Sequence, residues 1–243
     1  MGRLNARQKR ERNEWIPCSV HLCSKARKGL GLYCSRHAST AIYYGHPLQT
    51  ALTRTELDPY KRSLIRLIKC NRDHPALKDC LALIEKWLED HGQRTKARNG
   101  APAQLWQHKL DKEVWRLTQQ NVSSAAIFIE VAAVHFFSMQ NQDRLALVTR
   151  QYKFALGRAF LLTKGRRVRY GCHGSRINGR AVFSIGSLCS TAFRRVFEAM
   201  AEPFKAYHAN TSPRSEPLRP SDIERAIGKP PRRNRRTSKE QSK

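Results

Sequence analysis

The spacing Cys18-x4-Cys23-x10-Cys34-x2-His37 places four metal-ligating side chains within twenty residues near the start of this 243-residue chain. Three thiolates and one imidazole make a complete tetrahedral zinc set with no open position for water, so the ion is structural rather than catalytic. Cys18 and Cys23 suit the two sides of a tight knuckle, and Gly29 and Gly31 supply flexible backbone for the return. Cys34 and His37, three residues apart, fall on one face of a first helical turn, so both can reach one ion. So short a stretch cannot bury much core, and metal binding would supply its folding free energy. His21 and His46 are nearby competitors for the fourth position. The expectation is one structural zinc ion in a small module over residues 15–50.

Charge is the second constraint. The chain carries 46 Lys and Arg against 19 Asp and Glu, a formal net charge of +27. Self-repulsion of that size works against a compact fold, and nucleic acid is the usual polyanion that offsets it, through release of condensed counterions. Residues 1–50 hold nine cations and two anions, residues 51–90 eight and seven, and residues 209–243 ten and four. A near-neutral helical segment therefore separates the module from a second basic region. In that region Lys164, Arg166, Arg167 and Arg169 form a dense run, followed by Arg176 and Arg180. Together with Arg27, Lys28 and Arg36 of the module and Arg232, Arg233, Arg235 and Arg236 near the end, these are the expected phosphate contacts.

The remaining chain reads as mainly α. Residues 1–14 are polar and basic, a flexible arm. Leu57, Tyr60, Leu64, Leu67 and Ile68 recur at helical spacing, and a second helix from Pro75 to about Asp90 completes a helical hairpin over 51–92, with Gly92 as its C-cap. A basic linker, 93–101, leads to a helical domain, 102–208, with helices at 102–120, 122–140 and 142–162, the last open to interruption at Gly157. Gly171, Gly174 and Gly179 between short β-prone runs read as a β-hairpin near 166–186. A last helix covers about Leu188 to Ala206, and 209–243, rich in Pro, Ser and Arg, reads as a disordered basic tail. The apolar run Val122 to Met139 contains Glu130 and His135, which lipid would penalise, so it reads as a buried helix and no membrane association is expected. Nothing reads as a secretory signal, and seven cysteines without a disulfide-like spacing suit a reducing cytoplasm.

The segments Cys-Ser-Val-His-Leu-Cys, Gly-Leu-Tyr-Cys-Ser-Arg-His and Tyr-Gly-His-Pro, within residues 17–48, resemble the zinc module of phage-encoded HNH-type homing endonucleases and related phage proteins. The resemblance implies Cys18, Cys23, Cys34 and His37 as zinc ligands in a treble-clef-like knuckle and helix. It also implies an association with DNA, favoured over RNA, and a phage or mobile element acting in a bacterial cytoplasm. Two features depart from that family. The helix after His37 reads Ala-Ser-Thr-Ala-Ile-Tyr-Tyr, without the usual cations, which suits packing on protein through Ile42, Tyr43 and Tyr44. The later histidines are scattered, with no pairing and following Asn of an HNH catalytic unit, and no other catalytic constellation emerges. The expected function is therefore a non-enzymatic, zinc-containing DNA-binding protein. The alternatives are a protein-interaction factor docking through the 38–44 helix on a host or replication complex, an RNA-binding protein, or a degenerate nuclease.

Overall fold

The computed structural model describes residues 5–97, 105–147, 149–161, 163 and 179–209. Over these residues the chain is mainly helical and contains no β-strand beyond one isolated antiparallel bridge, Pro17 to Ala26. The helices are α1 (Ala6–Asn13), α2 (Ser35–Tyr44), α3 (Arg54–Cys70), α4 (Pro75–Ala97), α5 (Leu105–Gln119), α6 (Ser124–Gln140), α7 (Arg150–Leu161), α8 (Gly179–Ala192) and α9 (Arg194–Ala209).

The centre of the body is α6. It is apolar all round, with 13 of its 17 residues buried, and a helix of that kind must be surrounded on every side. Packing against α3, α4, α7 and α9 does this. Its two ionisable members are satisfied internally. Glu130 Oε1 lies 2.8 Å from Lys61 Nζ of α3, and His135 Nδ1 lies 2.7 Å from the Tyr152 hydroxyl of α7. No described helix is long and apolar enough to cross a membrane. An aromatic seam closes α9 onto this core, with Phe197 stacked on His135 at 4.2 Å and Phe204 on Phe136 at 4.1 Å.

Local signals set the helix ends. Thr53 and Glu56 form a reciprocal capping box at the start of α3. Thr149 Oγ1 accepts from the Tyr152 N–H and starts α7, so Gln142–Leu147 form turns rather than the helix expected from 142. There Arg144 and Leu145 both donate their N–H to the Asn141 carbonyl, and the Ser138 hydroxyl donates to the Leu145 carbonyl.

Four further expectations are corrected. The hairpin near 166–186 is not found in its described part, because Gly179–Ile185 lie within α8. Residues 164–178 lie outside the described residues. Ala181, Val182, Ile185, Gly186 and Cys189 are buried at helical spacing, so burial on one helical face overrides the β-prone Val-Phe-Ser-Ile run. Gly157 does not interrupt α7. A Cβ there would overlap the Val182 carbonyl, and one at Gly186 would overlap the Lys153 carbonyl, so the two glycines let α7 and α8 cross in backbone contact. Gly92 is no C-cap either. It lies inside α4, which continues to Ala97, and it seats the Trp115 ring of α5, 2.8 Å from where a Cβ would stand. The final helix is two helices, α8 and α9, parted at Phe193.

The expected flexible arm forms α1 over Ala6–Asn13, capped reciprocally by Asn5 and Gln8 and burying no residue.

Candidate metal centre

The module is a knuckle followed by a helix. Its two arms pair through the Cys18 N–H to the Lys25 carbonyl (2.8 Å) and the Arg27 N–H to the Ile16 carbonyl (3.0 Å). At the tip Leu22 takes a left-handed conformation (φ 60°), uncommon for a non-glycine residue, immediately before Cys23. Further bonds, from the Ser19 N–H to the Leu32 carbonyl and the Lys28 N–H to the Tyr33 carbonyl, fold the return segment against the knuckle. Gly29 serves this return at φ 60°. Asn13, at the end of α1, reaches in and donates from Nδ2 to the Gly29 carbonyl at 2.7 Å. Cys34 is the N-cap residue of α2, so His37 sits one turn in, on the same side.

The four expected ligand atoms converge, all within 4.8 Å of one another. His37 Nδ1 is 3.3 Å from Cys18 Sγ and 3.5 Å from Cys34 Sγ, and the Cys23 and Cys34 sulfurs are 3.9 Å apart. Ligand bonds of about 2.0–2.3 Å in a tetrahedron give edges of roughly 3.3–3.8 Å. The donor set therefore suits a single cation in its chemistry, and its atoms lie close enough together to converge on one ion. Cys18 and Cys34 are buried and Cys23 half-buried, yet the small core around them adds only Val20 and the half-buried Tyr33.

The electrostatics point the same way. Burial opposes the Cys18 thiolate, but backbone hydrogen bonds at Cys34 and Val20 and the His37 side chain outweigh it and pull its pKa below the ordinary value. The Cys34 thiol is lowered too, first by a backbone hydrogen bond at His37. At Cys23 a backbone hydrogen bond at Lys25 favours the thiolate, but burial and the Cys34 and Cys18 sulfurs together push the pKa up. Three thiolates at this separation repel one another, and a cation among them removes that repulsion.

The competing histidines do not join the group. His21 is exposed, and His46 Nδ1 accepts from the Leu48 N–H at 3.3 Å. No second His, Cys or acidic group able to hold a metal occurs among the described residues. Cys80 is buried and its thiol pushed up to about 12, chiefly by burial, while His91 binds Asp111 at 2.6 Å.

The expected phosphate contacts fare unevenly. Arg27 is turned inward, donating to the Pro17 carbonyl and the Ser19 hydroxyl at 3.1 Å each, so it braces the knuckle. Lys28 and Arg36 are exposed beside the ligands, and Arg180 is exposed at the start of α8. Lys164, Arg166, Arg167, Arg169, Arg176, Arg232, Arg233, Arg235 and Arg236 lie outside the described residues.

The aromatic face of α2 packs on the chain's own body. The Arg158 guanidinium of α7 stands 4.7 Å over the Tyr44 ring, and Gly45 (φ 82°) lies close against Phe154. Beneath Tyr44 and Arg158 a cavity of about 260 Å³ reaches the Lys61–Glu130 pair. Burial raises the Glu130 carboxyl against the opposing pull of Lys61. A carboxylate in the middle of an apolar helix was the sequence signal for this pair, whereas Lys61, on α3 and far from Glu130 in sequence, carried none.

Comparison with protein-family models, curated proteins and solved structures finds no match to this chain.

Proposed function

We propose that this protein is a non-enzymatic nucleic-acid-binding protein whose N-terminal module is folded around one structural zinc ion. DNA is the favoured partner and a bacterial cytoplasm the proposed setting, as a phage or mobile-element protein. The observation that carries the zinc assignment is the Cys18–Cys23–Cys34–His37 cluster, since three sulfurs and an imidazole nitrogen gathered at one point favour zinc over hard cations such as magnesium. The observation behind the partner is the charge of +27, whose self-repulsion a bound polyanion would offset. Exposed Lys28 and Arg36 put part of that charge beside the metal cluster.

A second reading has its own support. Among the described residues, six of the seven exposed large apolar side chains fall between residues 15 and 48, namely Trp15, Leu22, Leu30, Leu32, Ile42 and Leu48. Apolar side chains gathered on one small module suit a protein partner.

The test is binding of zinc-loaded full-length protein to duplex DNA, single-stranded DNA and duplex RNA across a salt series. Magnesium and manganese are included and the products run on a gel. The expected result is duplex binding that falls steeply with salt, with intact nucleic acid. Cleavage products would restore the nuclease alternative. Absence of binding at moderate salt would overturn the nucleic-acid reading in favour of the protein partner. Metal content is read independently, by elemental analysis against a Cys34→Ser variant.

A further inference from the structure

Beside the module, α2, α7 and α8 frame an open groove of about 870 Å³. Its apolar wall is Ile42, Phe154, Phe183 and Leu188, with Ile42 and Leu188 exposed to 58% and 45%, and Phe183 half-buried. Arg150 and Arg180 also line it, and among the described residues no carboxylate does. The cations are seated on the rings. The Arg150 guanidinium is 5.7 Å from the Phe154 centroid and 5.9 Å from that of Phe183, and Lys153 Nζ is 5.8 Å from Phe183. Gly179 lets α8 start directly against the end of α2, where a Cβ would stand 2.6 Å from the Ile42 carbonyl. The zinc module thus forms one edge of the groove.

We infer that this groove binds a short stretch of single-stranded nucleic acid, with bases against Phe183, Ile42 and Leu188 and phosphates on Arg150, Lys153 and Arg180. The inference rests on the nucleic-acid reading above and adds to the duplex binding proposed there a separate site for unpaired strands. Cations and aromatic rings in one acid-free groove match a ligand with a charged backbone and exposed π-faces. Duplex DNA matches it less well, because paired bases turn their faces to one another and leave an apolar wall without a partner. An acidic apolar peptide shares the two chemistries, but the polyanion is favoured by the chain's net charge of +27 and by the run Lys164 to Arg180, which leads in sequence into α8.

The test uses zinc-loaded full-length protein and a fluorescently labelled mixed-sequence oligonucleotide, single-stranded or annealed, read by anisotropy. Phe183→Leu keeps an apolar side chain in place and removes the stacking face. It is expected to weaken single-strand binding about tenfold while leaving duplex binding within roughly twofold, since base–aromatic stacking acts on unpaired bases. Leu188→Glu, at an exposed position outside the core, is expected to weaken single-strand binding similarly by placing a carboxylate in the groove. Arg150→Gln should flatten the salt dependence of single-strand binding by about one unit of slope. Ultraviolet crosslinking should mark the peptide containing Phe183. Wild-type-like single-strand affinity in both Phe183→Leu and Leu188→Glu, or equal weakening of the two nucleic-acid forms, overturns the groove while leaving the broader reading intact. Wild-type protein that binds no nucleic acid overturns both.

Discussion

Chelating the proposed zinc ion is expected to unfold residues 17–37 and leave the helical body standing. Apart from the proposed ligands, the module's own core is the buried Val20 and the half-buried Tyr33, worth about 2 kcal/mol each and about 4 kcal/mol together. Ordering the backbone of twenty-one residues costs about 20 kcal/mol even at the low end of about 1 kcal/mol per residue. The shortfall, roughly 16 kcal/mol, matches the upper end of the about 10–16 kcal/mol apparent binding free energy of structural zinc in small modules. The body has no such dependence, because α3–α9 share one continuous apolar core that excludes the module. Hydrogen exchange read by mass spectrometry separates the two. The Cys18, Ser19, Arg27 and Lys28 amides, bonded at 2.8–3.0 Å in the folded module, should lose protection on chelation and regain it when zinc is restored. Amides of α6 should remain protected throughout. Unchanged protection of the four module amides in fully stripped protein would refute the argument. So would a collapse of α6 protection at the same chelator concentration.

Three further outcomes follow from the body. Gly186→Ala should destabilise by about 2–3 kcal/mol and lower the melting temperature by roughly 5–10 °C, since its Cβ meets the Lys153 carbonyl, a backbone atom that cannot rotate away. An unchanged melting curve would show that α7 and α8 do not cross there. Burial holds the His135 pKa down to about 4, against 6.5 in an open chain. The unfolded state therefore takes up the proton first, and stability present above pH 6.5 is lost as the pH falls toward 4, by up to about 3 kcal/mol. Urea unfolding at pH 7 and pH 4.5 should show this loss, and His135→Leu should remove it; an equal loss in the variant would assign the dependence elsewhere. Lys61→Met should destabilise by about 3 kcal/mol by stranding the buried Glu130, and Lys61→Met with Glu130→Leu should recover much of it. Denaturant titration of the single and double variants decides, and a double variant weaker than the single would contradict the ion-pair account.

The metal cluster was legible in the sequence because knuckle and helix turn are local geometries. Two cysteines five apart and a Cys–His pair three apart fix their own relative positions to within a turn, so the convergence of Cys18, Cys23, Cys34 and His37 needs no distant contact. The choice of His37 over His21 and His46 was less determined, since sequence distance alone admits all three. The central helix was legible for a related reason, because an apolar run with two ionisable residues must be buried with partners for them. Which partners was not: Lys61 and Tyr152 reach Glu130 and His135 only through the packing of α3 and α7 on α6.

The glycines mark where sequence reasoning fails. Gly92, Gly157 and Gly179 were read as a cap, an interruption and a turn, the roles glycine takes through backbone freedom. In the fold each serves close approach instead, to Trp115, to Val182 and to Ile42. The sequence determined the ligand set, the helical character and the charge, because these follow from neighbours along the chain. Only the tertiary structure decided that α2 rests on the body, that α8 is a helix, and that Arg150 and Phe183 share a groove with Ile42 while Lys153 sits over the Phe183 ring. Those depend on which surfaces bury one another, a property of elements far apart in sequence that no local period encodes.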